Sequence, residues 1–291
     1  MSHVHLMRQE RERVNALIAN GQDSPLWASA DFTLIDVEAT GHDPDHDQVV
    51  EIGAVRINAG KLGFFETLVN PGIEIPPGAS AAHHITDVMV QGAPSITQAA
   101  ADLRKFAGTS TLVSFNAAFE AGMLDRHLGK PGGRVGPMTG EWICLWRAAS
   151  HLWPHAPGHS NQTLRYHFKT DIRDLPPEAM LCMTPGEPLI AHRALHDALV
   201  SMCTFRRALA DMHATHGIED LVEVKKFCDR PIHIECMQFG KYAGVRMREI
   251  PLEYMKFALA RFHDMDWDLR TALKSELEIR GRATSQDTIS A

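Results

Sequence analysis

The chain predicts an α/β fold, a mixed five-stranded sheet flanked by helices, with a small α-rich module near its C-terminus. Three observations predict it. Phe32–Val37, Val49–Ile57 and Phe65–Val69 are apolar or β-branched runs joined by short connections, the pattern of an antiparallel meander. Beyond them helical and extended patterns alternate, as in a sheet with helices packed on it. A long amphipathic stretch, 191–212, then places Leu195, Leu199, Met202, Phe205 and Leu209 on one side.

The elements follow in order. A charged helix is expected at 8–19, ending near Asn20 and Gly21. Between the first two strands, residues 41–47 are rich in Gly, Asp and Pro and read as a turn. After Pro94, Ser95 is a candidate N-cap for a helix marked by Ile96, Ala99, Ala100, Leu103 and Phe106. Thr111–Phe115 predicts a fourth strand, with a helix at 117–128. Trp142–Leu145 predicts a fifth strand and 146–152 another helix. Residues 217–227 read as a short helix, and Arg230 with Pro231 marks a boundary. Pro251 opens a helix from its first turn, a second is expected at 269–279, and residues 284–291 are expected to be disordered. The resulting organisation is an extension at 1–28, a main domain at 29–212, a linker with a helix at 213–235, a module at 236–282 and a tail at 283–291.

Net charge is −7 with a pI near 6.2, which excludes a simple polycation that coats nucleic acid. Nine Lys and Arg against seven Asp and Glu at 236–282 make that module locally positive, so the remainder is the acidic part. Five cysteines without a C-x-x-C pair predict free thiols in a reducing compartment. No apolar stretch reaches the roughly 18 residues that cross a bilayer, and residues 1–13 lack the apolar core of a signal peptide, so a cytoplasmic protein without a membrane partner is expected. His151, His155 and His159 recur every four residues, but Pro154 and Pro157 prevent one helix from aligning them as zinc ligands.

Asp36 and Glu38 carry the first chemical signal. In an extended chain i and i+2 side chains share a face, so the two carboxylates converge and repel unless a cation neutralises them. A divalent metal site is the first hypothesis. Glu120, in Phe115-Asn-Ala-Ala-Phe-Glu120, and the segment His192-Arg-Ala-Leu-His-Asp197 supply further acidic groups and an imidazole far downstream.

Together these segments resemble the DEDDh 3'-5' exonucleases of the ribonuclease-H-like superfamily. Thr40 and Gly41, the Val-Glu-Ile-Gly of residues 50–53, and His83-His-Ile-Thr86 extend the match over residues 31–212. Gly140-Glu-Trp-Ile-Cys144, Leu152-Trp-Pro154 and Phe239-Gly-Lys-Tyr-Ala-Gly244 resemble the exodeoxyribonuclease X branch of that family. The resemblance implies a ribonuclease-H-like sheet and hydrolysis of DNA phosphodiesters from the 3' end to nucleoside 5'-monophosphates, in repair or end processing. It implies two Mg2+ ions about 3.5–4 Å apart, with Mn2+ as a substitute, and carboxylate ligands because hard cations take oxygen. Asp36 would bridge both ions, Glu38 and Asp197 would hold the nucleophile-side ion, and Glu120 the leaving-group side. His192 would be the general base, since imidazoles titrate near neutral pH.

For the substrate, the resemblance implies Thr40 and Gly41 at the terminal 3'-hydroxyl, and His84 and Ile85 against the last nucleotide. His42, Asn116 and Phe119 are further candidate contacts, and His42 offers a ring for base stacking. Single-stranded DNA or the 3' ends of duplex DNA are the expected partners. Two departures stand out. Glu120 occupies a position where the family has Asp, and is one methylene longer, while Phe115 stands where the family often has His. Alternatives stay open beside the main reading: RNA as the substrate, or a non-catalytic, polymerase-associated nucleic-acid binder. In the module, Phe239, Tyr242, Tyr254 and Phe257 are expected to be mostly buried, with Lys241, Arg246, Arg248 and Lys256 facing DNA.

Overall fold

Strand β1 (Asp31–Ala39) lies central in a five-stranded sheet in the computed structural model of the chain, which describes residues 2–125, 127, 142–171, 177–180 and 189–289. The first elements are helices α1 (His3–Ala19) and α2 (Pro25–Ser29). Strands β2 (Val49–Asn58) and β3 (Lys61–Leu68) extend β1 as an antiparallel meander. Helices α3 (Pro77–His83), α4 (Asp87–Val90) and α5 (Ile96–Ala107) lead to β4 (Thr111–Ser114), and α6 (Ala117–Leu124) to β5 (Ile143–Cys144). Both late strands run parallel to their neighbours, giving the order β3-β2-β1-β4-β5. This is the mixed sheet that the pattern of runs predicts.

After β5 come α7 (Leu145–Leu152), α8 (Asn161–Phe168), α9 (Pro177–Met180), α10 (Ala194–His216) and α11 (Leu221–Cys228). The chain separates into two compact units, Met1–Asp229 and Arg230–Ala291. The first takes in residues 1–28 and 213–229, which the sequence set apart as an extension and a linker. Packing explains why. Val14 of α1 is fully buried, and Arg13 donates through both terminal nitrogens to Asp211 of α10, at 2.5 and 2.8 Å. Trp153 Nε1 donates to the same carboxylate at 3.0 Å. Arg206 holds Asp23 in a second ion pair.

Alternation along β1 sorts its side chains between two layers. Phe32 and Leu34 join Leu195, Leu199 and Phe205 of α10 in one buried cluster, with the rings of Phe32 and Phe205 at 5.2 Å. Ile35, Val37 and Ala39 join Ala99 and Leu103 of α5 and Ala117 and Ala121 of α6 in the other. Each fully buried large apolar side chain contributes about 1.5–3 kcal/mol. The same alternation carries Asp36 and Glu38 onto the α10 side, at the end of the strand where the apolar cluster stops.

Several boundaries differ from expectation. β3 starts four residues early because Ala59 (φ 48°) and Gly60 (φ 76°) form a two-residue hairpin with positive φ at both positions. Alanine rarely adopts such angles, so the pair did not read as a turn. Helix α6 ends at Leu124; Asp125 and His127 of the predicted helix lie in turns, and residues 126 and 128 lie outside the described residues, as do Gly140 and Glu141 of the matched segment and Cys182. β5 is two residues long. Helix α10 runs on to His216, where Gly217 caps it in a left-handed conformation (φ 65°). Ser95 does cap α5, accepting from Gln98 N at 3.4 Å.

In the second unit, α12 (Leu252–Arg261) and α13 (Trp267–Ile289) pack around Met237, Met247, Ile250, Met255, Leu269 and Leu273. The backbone of α13 stays helical to Ile289, across most of the segment expected to be disordered. Phe239, Tyr242 and Tyr254 are half-buried against that core, as expected, but Phe257 is 49% exposed. Lys241, Arg246, Arg248 and Lys256 are exposed. Cys144, Cys203, Cys228 and Cys236 are free thiols. Among the described residues no helix is long and apolar enough to cross a membrane.

Candidate metal centre

Helix α10 brings the downstream motif to the two carboxylates of β1. Its first turn contains Asp197, and His192 lies two residues before its first residue. Ligand atoms of Glu38, His192 and Asp197 all lie within 4.8 Å of one another. A five-residue offset between His192 and Asp197 works because His192 adopts a left-handed backbone (φ 59°), which folds the loop back so that its N–H donates to Asp197 Oδ2 at 2.8 Å. Such a conformation costs a non-glycine residue roughly 1–3 kcal/mol and persists only where surroundings over-determine it. The His192 side chain is exposed, while Asp197 is buried.

Two residues of the Val-Glu-Ile-Gly segment explain how α10 reaches this place. Glu51 is fully buried opposite Glu38 in the β1–β2 register. Its carboxylate accepts from Arg193 Nη2 at 2.8 Å, from Arg193 Nε at 3.1 Å and from Ala194 N at 2.8 Å. A strand carboxylate thus satisfies an open N–H of the helix and complements the positive end of its dipole. Gly53 lets the helix backbone lie directly on the strand: a Cβ there would sit 2.1 Å from Leu195 N and 2.2 Å from the carbonyl carbon of Ala194.

Glu120 arrives from α6. It is buried, and Ser114 Oγ on β4 donates to its Oε2 at 2.5 Å. Glu120 and Asp36 fall outside the tight group of Glu38, His192 and Asp197, yet Asp36 feels the charges of Glu38 and Asp197, and the charge of Glu120 acts on both Asp36 and Glu38. Burial, then the charges of Asp197, Glu120, Glu38 and Glu51, hold the Asp36 carboxyl well above its ordinary range. Burial followed by Asp197 and Glu51 pushes Glu38 up to about 8. Burial likewise pushes Glu120 up to about 8, against the opposing Ser114 hydrogen bond. Asp197 is raised by burial, opposed by the His192 N–H and Gln162.

These four carboxyls repel one another as anions, and the donor set fits a hard divalent cation that would relieve the repulsion. A pH dependence follows. A carboxyl raised in the folded state binds its proton more tightly there than in the unfolded chain, where Glu titrates near 4.5. Its stabilisation is full below that value and lost as pH climbs through about 8. Thermal melts in EDTA should therefore fall across that window, and saturating Mg2+ should flatten the decline. A metal-free profile that is flat over the same window would contradict the acidic cluster.

The expected substrate contacts are placed unevenly. Thr40 is buried, with its hydroxyl donating to Asp47 Oδ1 and accepting from Gln48 N, both at 3.0 Å. Asp47 also accepts from Asp43 N at 2.9 Å, so the loop after Gly41 is ordered by its own carboxylate. His42 is exposed, its ring 6.1 Å from that of half-buried Phe119, and Asn116 is exposed at the start of α6. His84 is exposed with a left-handed backbone (φ 62°). Ile85 requires correction: it is 0% exposed, packed with Val50, Ile75 and Val90, and supports the loop from beneath instead of meeting a nucleotide. His151, His155 and His159 do not converge; their rings turn separately to Phe227, His3 and the Trp153 carbonyl. Ser114, Gln162 and the anchoring role of Glu51 were missed, since a lone Ser, Gln or strand Glu carries no spacing signal.

Clustered carboxylates beside an imidazole, on a sheet of this topology, define a divalent-metal hydrolase. Comparison with known proteins agrees. The chain belongs to the Exonuclease family, whose profile matches residues 33–205. It is a 3'-5' exonuclease hydrolase with a ribonuclease-H-like fold. It is similar to Exodeoxyribonuclease 10 of Escherichia coli (strain K12), 29% identical over 251 residues that cover 84% of this chain and 98% of that one. It is also similar to the DNA polymerase III subunit epsilon of Treponema pallidum, 30% identical over 169 residues, covering 56% of this chain and 78% of that one. Among solved structures, Exonuclease X in complex with 5' overhanging duplex DNA shares 29% identity and a TM-score of 0.47, covering 68% of this chain and 99% of that one.

Proposed function

We propose that the chain hydrolyses DNA from its 3' end, releasing nucleoside 5'-monophosphates, in repair or end processing. The observation that carries this reading is the meeting of Glu38, His192 and Asp197 within 4.8 Å, next to Asp36 and Glu120. Asp36, Glu38, Glu120 and Asp197 would hold two Mg2+ ions, which when bound neutralise the phosphate and acidify the attacking water. His192 takes the proton of that water; its exposed ring can approach solvent while its backbone stays tied to Asp197. Thr40 and Gly41 flank the terminal 3'-hydroxyl, and the His42–Phe119 pair with Asn116 and His84 meets the last nucleotides. DNA is favoured over RNA because similarity to an exodeoxyribonuclease spans 84% of the chain, beyond the catalytic segment alone.

The test uses 5'-labelled single-stranded DNA and RNA with Mg2+ or Mn2+. A ladder shortening from the 3' end of DNA is expected, weaker on RNA. Glu120→Gln, which removes the charge but keeps the length, should slow it at least tenfold, in line with loss of a metal ligand. No ladder on either substrate, even with Mn2+, would leave a binding-only protein. Unchanged cleavage by Glu120→Gln would remove Glu120 from the ligand set.

A further inference from the structure

Helix α8 carries a side chain that no motif marked. Gln162 Nε2 donates to Asp197 Oδ1 at 2.5 Å, and Gln162 Oε1 accepts from Arg165 Nη1 at 3.1 Å. The same Arg165 nitrogen also donates to the Leu189 carbonyl at 3.1 Å, so the guanidinium is itself held. One residue earlier, Asn161 Nδ2 donates to the backbone carbonyl of Asp197 at 3.1 Å.

A guanidinium offers only donors and an ionised carboxylate only acceptors. The side chain bridging them must accept at one end and donate at the other, which a primary amide does. Arg165 therefore fixes which way the Gln162 amide faces: its oxygen toward the guanidinium, its NH2 toward Asp197. Glutamate here would set carboxylate against carboxylate, and lysine would set donor against donor. The other oxygen of Asp197 is taken by the His192 N–H. With one donor on each oxygen, the terminal torsion of Asp197 is locked while its remaining lone pairs stay available beside Glu38 and His192. We infer that Gln162, oriented by Arg165, is a positioning residue that holds Asp197 in the geometry a divalent cation requires.

The inference rests on the metal-dependent reading of this site. Partners that orient metal ligands typically change metal affinity by about 10–100-fold when removed. Calorimetric titration of the full chain with Mn2+ is the test, on the wild type, Gln162→Glu and Gln162→Met. Both variants should bind Mn2+ about tenfold more weakly while remaining folded in EDTA. At fixed Mn2+, kcat on a labelled oligonucleotide should drop while KM for it holds. Should Gln162→Glu fail to fold, Gln162→Met decides, because it deletes both hydrogen bonds without adding a charge. Mn2+ affinity of Gln162→Met within twofold of wild type overturns the inference and leaves the metal centre standing. A wild-type chain that takes up no Mn2+ overturns the metal centre, and the inference with it.

Discussion

Asp36→Asn is expected to lower the rate of 3'-end hydrolysis about a thousandfold while raising the melting temperature of the metal-free protein. The two effects have one cause. Asp36 sits where burial and the charges of Asp197, Glu120, Glu38 and Glu51 all disfavour its anion. Charge stabilisation by a metal centre is worth several kcal/mol, and each 1.4 kcal/mol or so is a factor of ten in rate. Removing the carboxylate forfeits that contribution but also ends the repulsion it imposes on the empty fold. For a chain of this size each kcal/mol regained moves the melting temperature by about 2–4 °C. Exonuclease rates with Mg2+ and melts in EDTA at about pH 8 measure both. A variant that loses activity and stability together would make Asp36 a structural residue.

Gly53→Ala is expected to damage fold and activity at once. A methyl group on Gly53 meets Leu195 N at 2.1 Å, the Ala194 carbonyl carbon at 2.2 Å and Leu195 Cα at 2.5 Å, all of them backbone. No rotamer change relieves such contacts, so α10 must lift from β2. Overpacking alone costs about 1–3 kcal/mol. Lifting the helix also strains the bonds from Glu51 to Arg193 and Ala194 and displaces Asp197 and His192. A misplacement near 1 Å at a reacting centre can cost about a hundredfold in rate. Gly63→Ala on the adjacent strand is the control, since its nearest neighbour is the Phe106 ring at 3.4 Å. Urea unfolding and exonuclease rates should separate the two variants clearly. Equal behaviour would refute the direct seating of α10 on Gly53.

Much of the fold was legible because it rests on periodicity. The alternation of Phe32, Leu34, Asp36 and Glu38 announced both the buried strand and the shared face of its carboxylates. Ser95 announced a helix start through the chemistry of its hydroxyl. What stayed hidden depends on partners distant in sequence. Glu51 reads as a strand residue, yet its function is to cap a helix that begins at Ala194. Gln162 belongs to a helix the sequence did not predict, and its meaning exists only between Arg165 and Asp197. Ile85 was misread because it neighbours exposed His84, and sequence adjacency does not tell which of two residues turns inward. The hairpin at Ala59 and Gly60 escaped notice because its first residue lacks the usual turn chemistry.

The contact between Ser114 and Glu120 bears on how this site can change over evolutionary time. Shortening Glu120 to Asp withdraws the acceptor from a buried hydroxyl on β4, and replacing Ser114 with Ala withdraws one donor from a buried carboxyl on α6. Losing a hydrogen bond at a buried polar group costs about 1–3 kcal/mol. Each single substitution is therefore expected to destabilise the fold, and a double-mutant cycle measures how much of that loss the two share. Positions 114 and 120 are therefore expected to be energetically coupled, so that the residue tolerated at one depends on the residue at the other.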